Sequence, residues 1–144
     1  MTFNPRGIVI HNTGGADRVV FDGNVVKGVL TSRGFRGYHF LHENIDGQYW
    51  TSLLVPMSER GEHVANHNSE YLGFAIVGDF NKAPPGLSCL STVAAAVAGI
   101  LDALKLPRTA IIAHRDVPDN DTDCPGKLFP WAEFADMVKN ERGG

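Results

Sequence analysis

The sequence predicts an α/β fold: a single domain in which a mixed central β-sheet is flanked by helices. Short apolar runs of strand length at Gly7–His11, Tyr71–Val77 and Thr109–Ala113 read as strands buried on both faces, and such strands need helices to cover them. Two further strand-like stretches flank an Asp-Gly pair, the mark of a tight hairpin. An Ala-rich stretch, Ser91–Leu104, has the composition of a helix.

Taken in order, Gly7–His11 is a strand that delivers His11 to an exit loop, Asn12-Thr13-Gly14-Gly15. From Asp17 to Ser32 the valines recur at partly helical spacing, which predicts a helix weakened by Gly23, Gly28 and paired β-branched residues. Tyr38–His42 and Gln48–Leu54 are predicted strands around Glu43–Gly47, where Asp46-Gly47 supplies the positive φ of the turn. Ser58–Glu70 is polar and aperiodic, so it reads as a long surface loop, and loops of that length are often functional. Tyr71–Val77 follows as a central strand. The Ala-rich helix is expected to be capped by Ser88 or Ser91 and ended by Pro107. Thr109–Ala113 is a last strand, delivering His114 to a charged loop. Pro130 suits the first position of a closing helix with Trp131, Phe134, Met137 and Val138 on one face.

The 144 residues suit one domain, 1–144, and at 43% hydrophobic and 20% charged they lie far from the composition of a disordered chain. A formal charge of -3 lacks the positive field of a nucleic-acid or anionic-membrane binder. No apolar run nears the ~20 residues of a membrane span, and Met1–Arg6 lacks the apolar core of a signal peptide. The expectation is a chain made in the cytoplasm, with no nucleic-acid or membrane partner, acting as a monomer.

Candidate chemistry rests on histidine and cysteine. His11 and His114 each follow a short buried strand, and in open sheets the strand ends gather on common edges where sites are built. Cys124 follows in Thr122-Asp123-Cys124-Pro125-Gly126, a loop able to return to that edge. Two imidazoles and a thiolate form a three-ligand zinc set with one position open to water. Taken singly, each has an ordinary reading as a loop histidine or a small buried hydrophobe, and their spacing matches no local zinc motif. His39 reads as a buried, hydrogen-bonded side chain, His42 as a surface one, and Cys89 as packing. His63 and His67 have helix-like spacing, but their turn-rich surroundings argue against a second metal site.

Several ordered stretches carry a resemblance. They are Ile8–Thr13, Arg36–Phe40, Gly61–Val64 continuing to Asn68-Ser69, Leu72–Phe80, Ala113–Val117 and Thr122–Gly126. In these the sequence resembles the zinc amidase family that includes small bacteriophage N-acetylmuramoyl-L-alanine amidases and animal peptidoglycan recognition proteins. The resemblance implies that His11, His114 and Cys124 bind Zn²⁺, and that the substrate is the amide between N-acetylmuramic acid and L-alanine in peptidoglycan. It places Tyr38 on the family's active-site tyrosine. Thr122 falls where some members carry Lys and others Thr, and a threonine brings a hydrogen bond without charge. Ala75 stands where some relatives carry a glutamate base and cannot move protons itself. His63 and Asn68 fall in the loop that shapes the glycopeptide groove and are expected to touch substrate. The implied activity is hydrolysis of that amide. The expected lack of an export signal points to a phage or prophage endolysin reaching the wall after release or delivery, with recycling of wall fragments or delivery to a competitor as the other routes. The alternative is a module that binds muropeptide without cleaving it, although non-catalytic relatives typically replace the cysteine.

Overall fold

The structure is a computed structural model that describes residues 2–14 and 37–142. The helix expected over Asp17–Ser32 lies outside them. Five strands form one mixed sheet: β1 (Gly7–Asn12), β2 (Phe40–Ile45), β3 (Gln48–Leu53), β4 (Tyr71–Ile76) and β5 (Ile111–Ala113), in the order β3-β2-β4-β1-β5. The β2–β3 pair is antiparallel, and β1, β4 and β5, with β2, run parallel. Among the described residues there are two helices, α1 (Leu87–Ala103) between β4 and β5 and α2 (Trp131–Asn140) after β5, and a 3-10 turn over His114–Asp116.

β1 lies inside the sheet, between β4 and β5, where Ile8, Val9 and Ile10 are β-branched and fully buried, and such side chains fit a pleated surface covered on both sides. Its alternation sorts the two faces. Ile8 and Ile10, with Phe40, Leu72, Phe74 and Ile76, pack against Leu90, Val93, Ala94, Val97 and Leu101 of α1 and Phe134 and Val138 of α2. Val9 turns the other way, onto Val64 and Val117 of the long loops. Both described helices therefore cover one face, and on the other face loops do part of the covering expected of helices.

The hairpin is tighter than the sequence reading allowed. β2 continues through Ile45, and only Asp46 and Gly47 form the turn, at φ 52° and 83°, the two positive values a two-residue primed turn needs. Asn44 Oδ1 accepts the Gly47 amide at 3.0 Å and closes it. The Ala-rich helix begins at Leu87, four residues before Ser91, and neither serine caps it. Gly86 is the N-cap, and the Ser91 hydroxyl donates back to the Leu87 carbonyl at 2.9 Å inside the first turn. The helix ends before Pro107 can act. Lys105 takes a left-handed φ of 58°, and the Leu106 amide reaches the Leu101 carbonyl at 2.9 Å while the Lys105 amide reaches Asp102, a Schellman closure. Arg108 then joins the helix ends. It bonds both Asp102 oxygens at 2.8 Å and the Val138 and Glu141 carbonyls at 3.0 and 2.6 Å.

His42, expected at the surface, is 2% exposed. β2 alternation turns it toward α1, where its two ring nitrogens stand 2.7 Å from Thr51 Oγ1 and 2.8 Å from Thr92 Oγ1. Burial lowers its pKa from the ordinary 6.5 to about 4, because the imidazolium would lose its hydration there. Between those values the unfolded chain binds a proton that the native state refuses. Stability is therefore full above pH 6.5 and falls as the pH drops toward 4, by about 3 kcal/mol in all. Denaturant unfolding across that range should show this slope, and His42→Gln should flatten it. An unchanged slope in the variant would contradict the assignment.

Candidate active site

Because β1, β4 and β5 are parallel, their carboxyl ends open on one edge of the sheet, where open α/β sheets build sites. His11 is the penultimate residue of β1 and alternates with Ile10, so it projects away from the helices. His114 follows β5 directly. Ile10 is in register with Ala113, which sets the two histidines one step beyond the same rung, with ring centroids 4.6 Å apart.

Cys124 reaches this edge on a loop clamped from two sides. Arg115 donates its amide to the Cys124 carbonyl at 2.8 Å and a guanidinium N–H to the Gly126 carbonyl at 2.9 Å. On the other side the Leu128 amide bonds the Phe80 carbonyl, and the Lys127 amide bonds Asn81 Oδ1, both at 2.8 Å. Gly126 has a φ of 120°, and a Cβ there would lie 2.6 Å from the Phe80 backbone, so only glycine lets the loop approach so closely. The result sets Cys124 Sγ 3.8 Å from His11 Nδ1 and 3.3 Å from the Asn12 amide, which donates to it. The same sulfur stands 3.9 Å from the Asn12 carbonyl.

One ligand atom from each of His11, His114 and Cys124 lies within 4.8 Å of the others. Zn–N distances near 2.0 Å and Zn–S near 2.3 Å imply tetrahedral ligand atoms roughly 3.3–3.6 Å apart, so small side-chain shifts would bring all three onto one ion. The donor set fits zinc. Among the described residues no fourth His, Cys, Asp or Glu joins the group, which leaves a tetrahedral position open.

The group borders an open cavity of about 470 Å³, lined among the described residues by His11, Asn12, Thr13, Gly14, Tyr38, Asp79, Asn81, His114, Thr122, Asp123 and Cys124. Tyr38 is buried with its ring 4.9 Å from that of His11. Thr122 Oγ1 accepts the Cys124 amide at 3.1 Å and so shapes the loop as well as bordering the cavity. Ala75 pairs in register with His11 and is fully buried, so a methyl group stands at that position beside the site.

His63 and Asn68 lie in the long loop, as the sequence reading had them, and neither is among the described residues that line this cavity. His63 is 4% exposed, with Nδ1 2.9 Å from His11 Nε2 and Nε2 3.0 Å from the Tyr71 carbonyl. Asn68 Oδ1 accepts the His63 and Val64 amides at 2.8 and 2.9 Å, so its side chain serves the loop's own shape. The loop was expected at the surface, yet it turns Gly61, His63 and Val64 inward. The sequence held one signal for this. Gly73 interrupts an apolar strand, and a strand glycine often marks a close approach. A Cβ at Gly73 would lie 2.7 Å from the His63 ring.

Sequence reasoning also missed Asn120. Its Oδ1 stands 2.9 Å from His114 Nε2 and accepts the Ala65 amide at 3.0 Å, while its Nδ2 donates to the Ala65 and Pro118 carbonyls at 3.0 and 2.9 Å. His39 is buried as expected, between the Glu59 carbonyl and the Gly73 amide. Cys89 is packed in the core from the buried face of α1. His67 bonds Glu70 and, at 3.3 Å, Asp119, and the Glu70 hydrogen bond raises its pKa.

Over 90 residues, covering 55% of this chain, the sequence is 37% identical to the N-acetylmuramoyl-L-alanine amidase of Homo sapiens. The chain spans 15% of that protein's length. Its fold matches the solved structure of the endolysine N-acetylmuramoyl-L-alanine amidase LysCS from Clostridium intestinale with a TM-score of 0.74 at 26% identity, covering 96% of this chain and 86% of that one. The Drosophila peptidoglycan recognition protein SD shares the fold with a TM-score of 0.72 at 21% identity, over 92% of this chain and 81% of that one. The profile of one protein family, described as N-acetylmuramoyl-L-alanine amidase, matches residues 1–127, so the chain belongs to the N-acetylmuramoyl-L-alanine amidase family.

Proposed function

We propose that this chain is a zinc-dependent N-acetylmuramoyl-L-alanine amidase that hydrolyses the amide between N-acetylmuramic acid and L-alanine in peptidoglycan. The observation that carries the proposal is the convergence of His11, His114 and Cys124 on the rim of an open cavity. Family membership and the likeness to LysCS support the substrate class. The name endolysine on that structure supports a phage or prophage role. In that role one amidase domain, 1–144, would act as a monomer on the cell wall after release.

His11, His114 and Cys124 would hold the zinc. Bound there, the ion supplies Lewis acidity toward a carbonyl and lowers the pKa of water toward about 7. Tyr38, from its place beside His11, donates its phenolic O–H to the oxyanion that develops on the scissile carbonyl. Thr122 offers a second hydroxyl at the rim without adding charge. Ala75 carries no proton, so proton transfer falls to Tyr38 and to solvent in the cavity. A module that only binds muropeptide has no need of a thiolate, and Cys124 with its clamped loop favours turnover.

Protein purified without chelator should carry about one zinc per chain by elemental analysis, as expected for a single three-ligand site. Protein that takes up no zinc when the metal is offered would defeat the proposal.

A further inference from the structure

We infer that His63 and Asn120 are positioning residues that fix the tautomers of the two imidazole ligands. The inference rests on the zinc reading above and extends it to the 61–71 loop as the support of the site.

The argument starts from groups that can only accept. The Tyr71 carbonyl has no proton, so the His63 Nε2 beside it at 3.0 Å carries one and donates. Neutral His63 then has its lone pair on Nδ1, which accepts from His11 Nε2–H across 2.9 Å. With its proton on Nε2, His11 turns a bare Nδ1 toward Cys124 Sγ, 3.8 Å away. His114 is set by separate means. Two carbonyls, of Ala65 and Pro118, take both N–H groups of the Asn120 amide, which fixes its orientation and leaves Oδ1 facing His114 Nε2 at 2.9 Å. Oδ1 cannot donate, so His114 Nε2 carries the proton and Nδ1 the lone pair. Two independent chains of bonds thus present the same atom, Nδ1, from each ligand.

Both chains end on one stretch of loop. His63 and Ala65 lie in it and Tyr71 closes it, while Asn68 ties the His63 and Val64 amides together. Gly73 leaves the room in which the His63 ring lies. The loop therefore acts behind the ligands. Outer partners of this kind hold ring orientation and raise ligand basicity, and their loss commonly costs 10–100-fold in metal affinity, here taken as roughly that range.

Two readouts test this. The first needs no metal: long-range proton–nitrogen NMR of the metal-free protein in mildly alkaline buffer should find His11, His63 and His114 all protonated on Nε2. His63→Leu should scramble the tautomer of His11 and leave His114 alone, and Asn120→Leu should do the converse. The second is zinc affinity by chelator competition. Each leucine variant should bind roughly 10–100-fold more weakly. His63→Gln should stay within about threefold of the parent, because its amide can donate to the Tyr71 carbonyl and accept from His11. Finding His11 protonated on Nδ1, unchanged affinity in both leucine variants, or a His63→Gln as weak as His63→Leu would overturn the inference. If His63→Leu fails to fold, the half-buried Asn120 position carries the same test through His114. A parent protein with the stated tautomers but no zinc uptake would remove the metal reading and uphold the ring orientations. Zinc uptake with reversed tautomers would remove the inference alone.

Discussion

Cys124→Ala is expected to lose zinc and, with it, release of peptide from purified sacculi, by at least about a thousandfold. The thiolate is the one anionic ligand of the proposed set, and removing it leaves two neutral imidazoles that bind zinc weakly and leave an extra position for water. The backbone of the loop should survive, because its clamps run through Arg115, Phe80 and Asn81 and not through the sulfur. Cys89→Ala is the matched control. Cys89 lies on the buried face of α1, so its loss should cost a little stability and leave both zinc and activity intact. Equal loss in the two variants would mean that folding, not chemistry, had been disturbed.

Tyr38→Phe should slow turnover roughly 100–1,000-fold while zinc content stays at the parent level, the effect typical of removing one oxyanion donor. The substitution keeps the buried ring against Leu41 and Ala75 and beside His11, so packing is conserved and only the hydroxyl goes. Steady-state kinetics on a defined muropeptide, with metal analysis of the same sample, separates the two effects. Full activity in Tyr38→Phe would take the hydroxyl out of the mechanism.

Much of the fold was legible because its central strands carry a one-dimensional signal. Runs such as Ile8-Val9-Ile10 and Phe74-Ala75-Ile76 are apolar on successive residues, which only a strand covered on both faces tolerates, and their order fixed which ends could meet. The Asp46-Gly47 turn was legible for the same reason, since few residue pairs accept two positive φ values. Helix starts were less so. Ser88 and Ser91 are good caps by composition, yet packing of Leu90 and Val93 against the sheet set the first turn and left Gly86 at the cap. His42 escaped because nothing local announces that Thr51 and Thr92 will meet its ring.

In the site, the chain positions of His11 and His114 at strand ends were readable, whereas their convergence with Cys124 entered through family resemblance. The hydrogen bonds behind the ligands were not readable at all. His63 and Asn120 act across 52 and 6 residues of sequence, through carbonyls that any residue could supply. A polar loop looks the same whether its side chains face a substrate or the back of a ligand. Gly73 hinted at the answer by its type, and it did so by what it lacks.

The most direct test is mass analysis of the products that zinc-loaded protein forms from a muropeptide of defined structure. The account predicts two fragments, an intact N-acetylmuramic acid with its free lactyl carboxylate and a peptide with L-alanine at its amino terminus. Muropeptide recovered whole, or cut at any other bond, would contradict it.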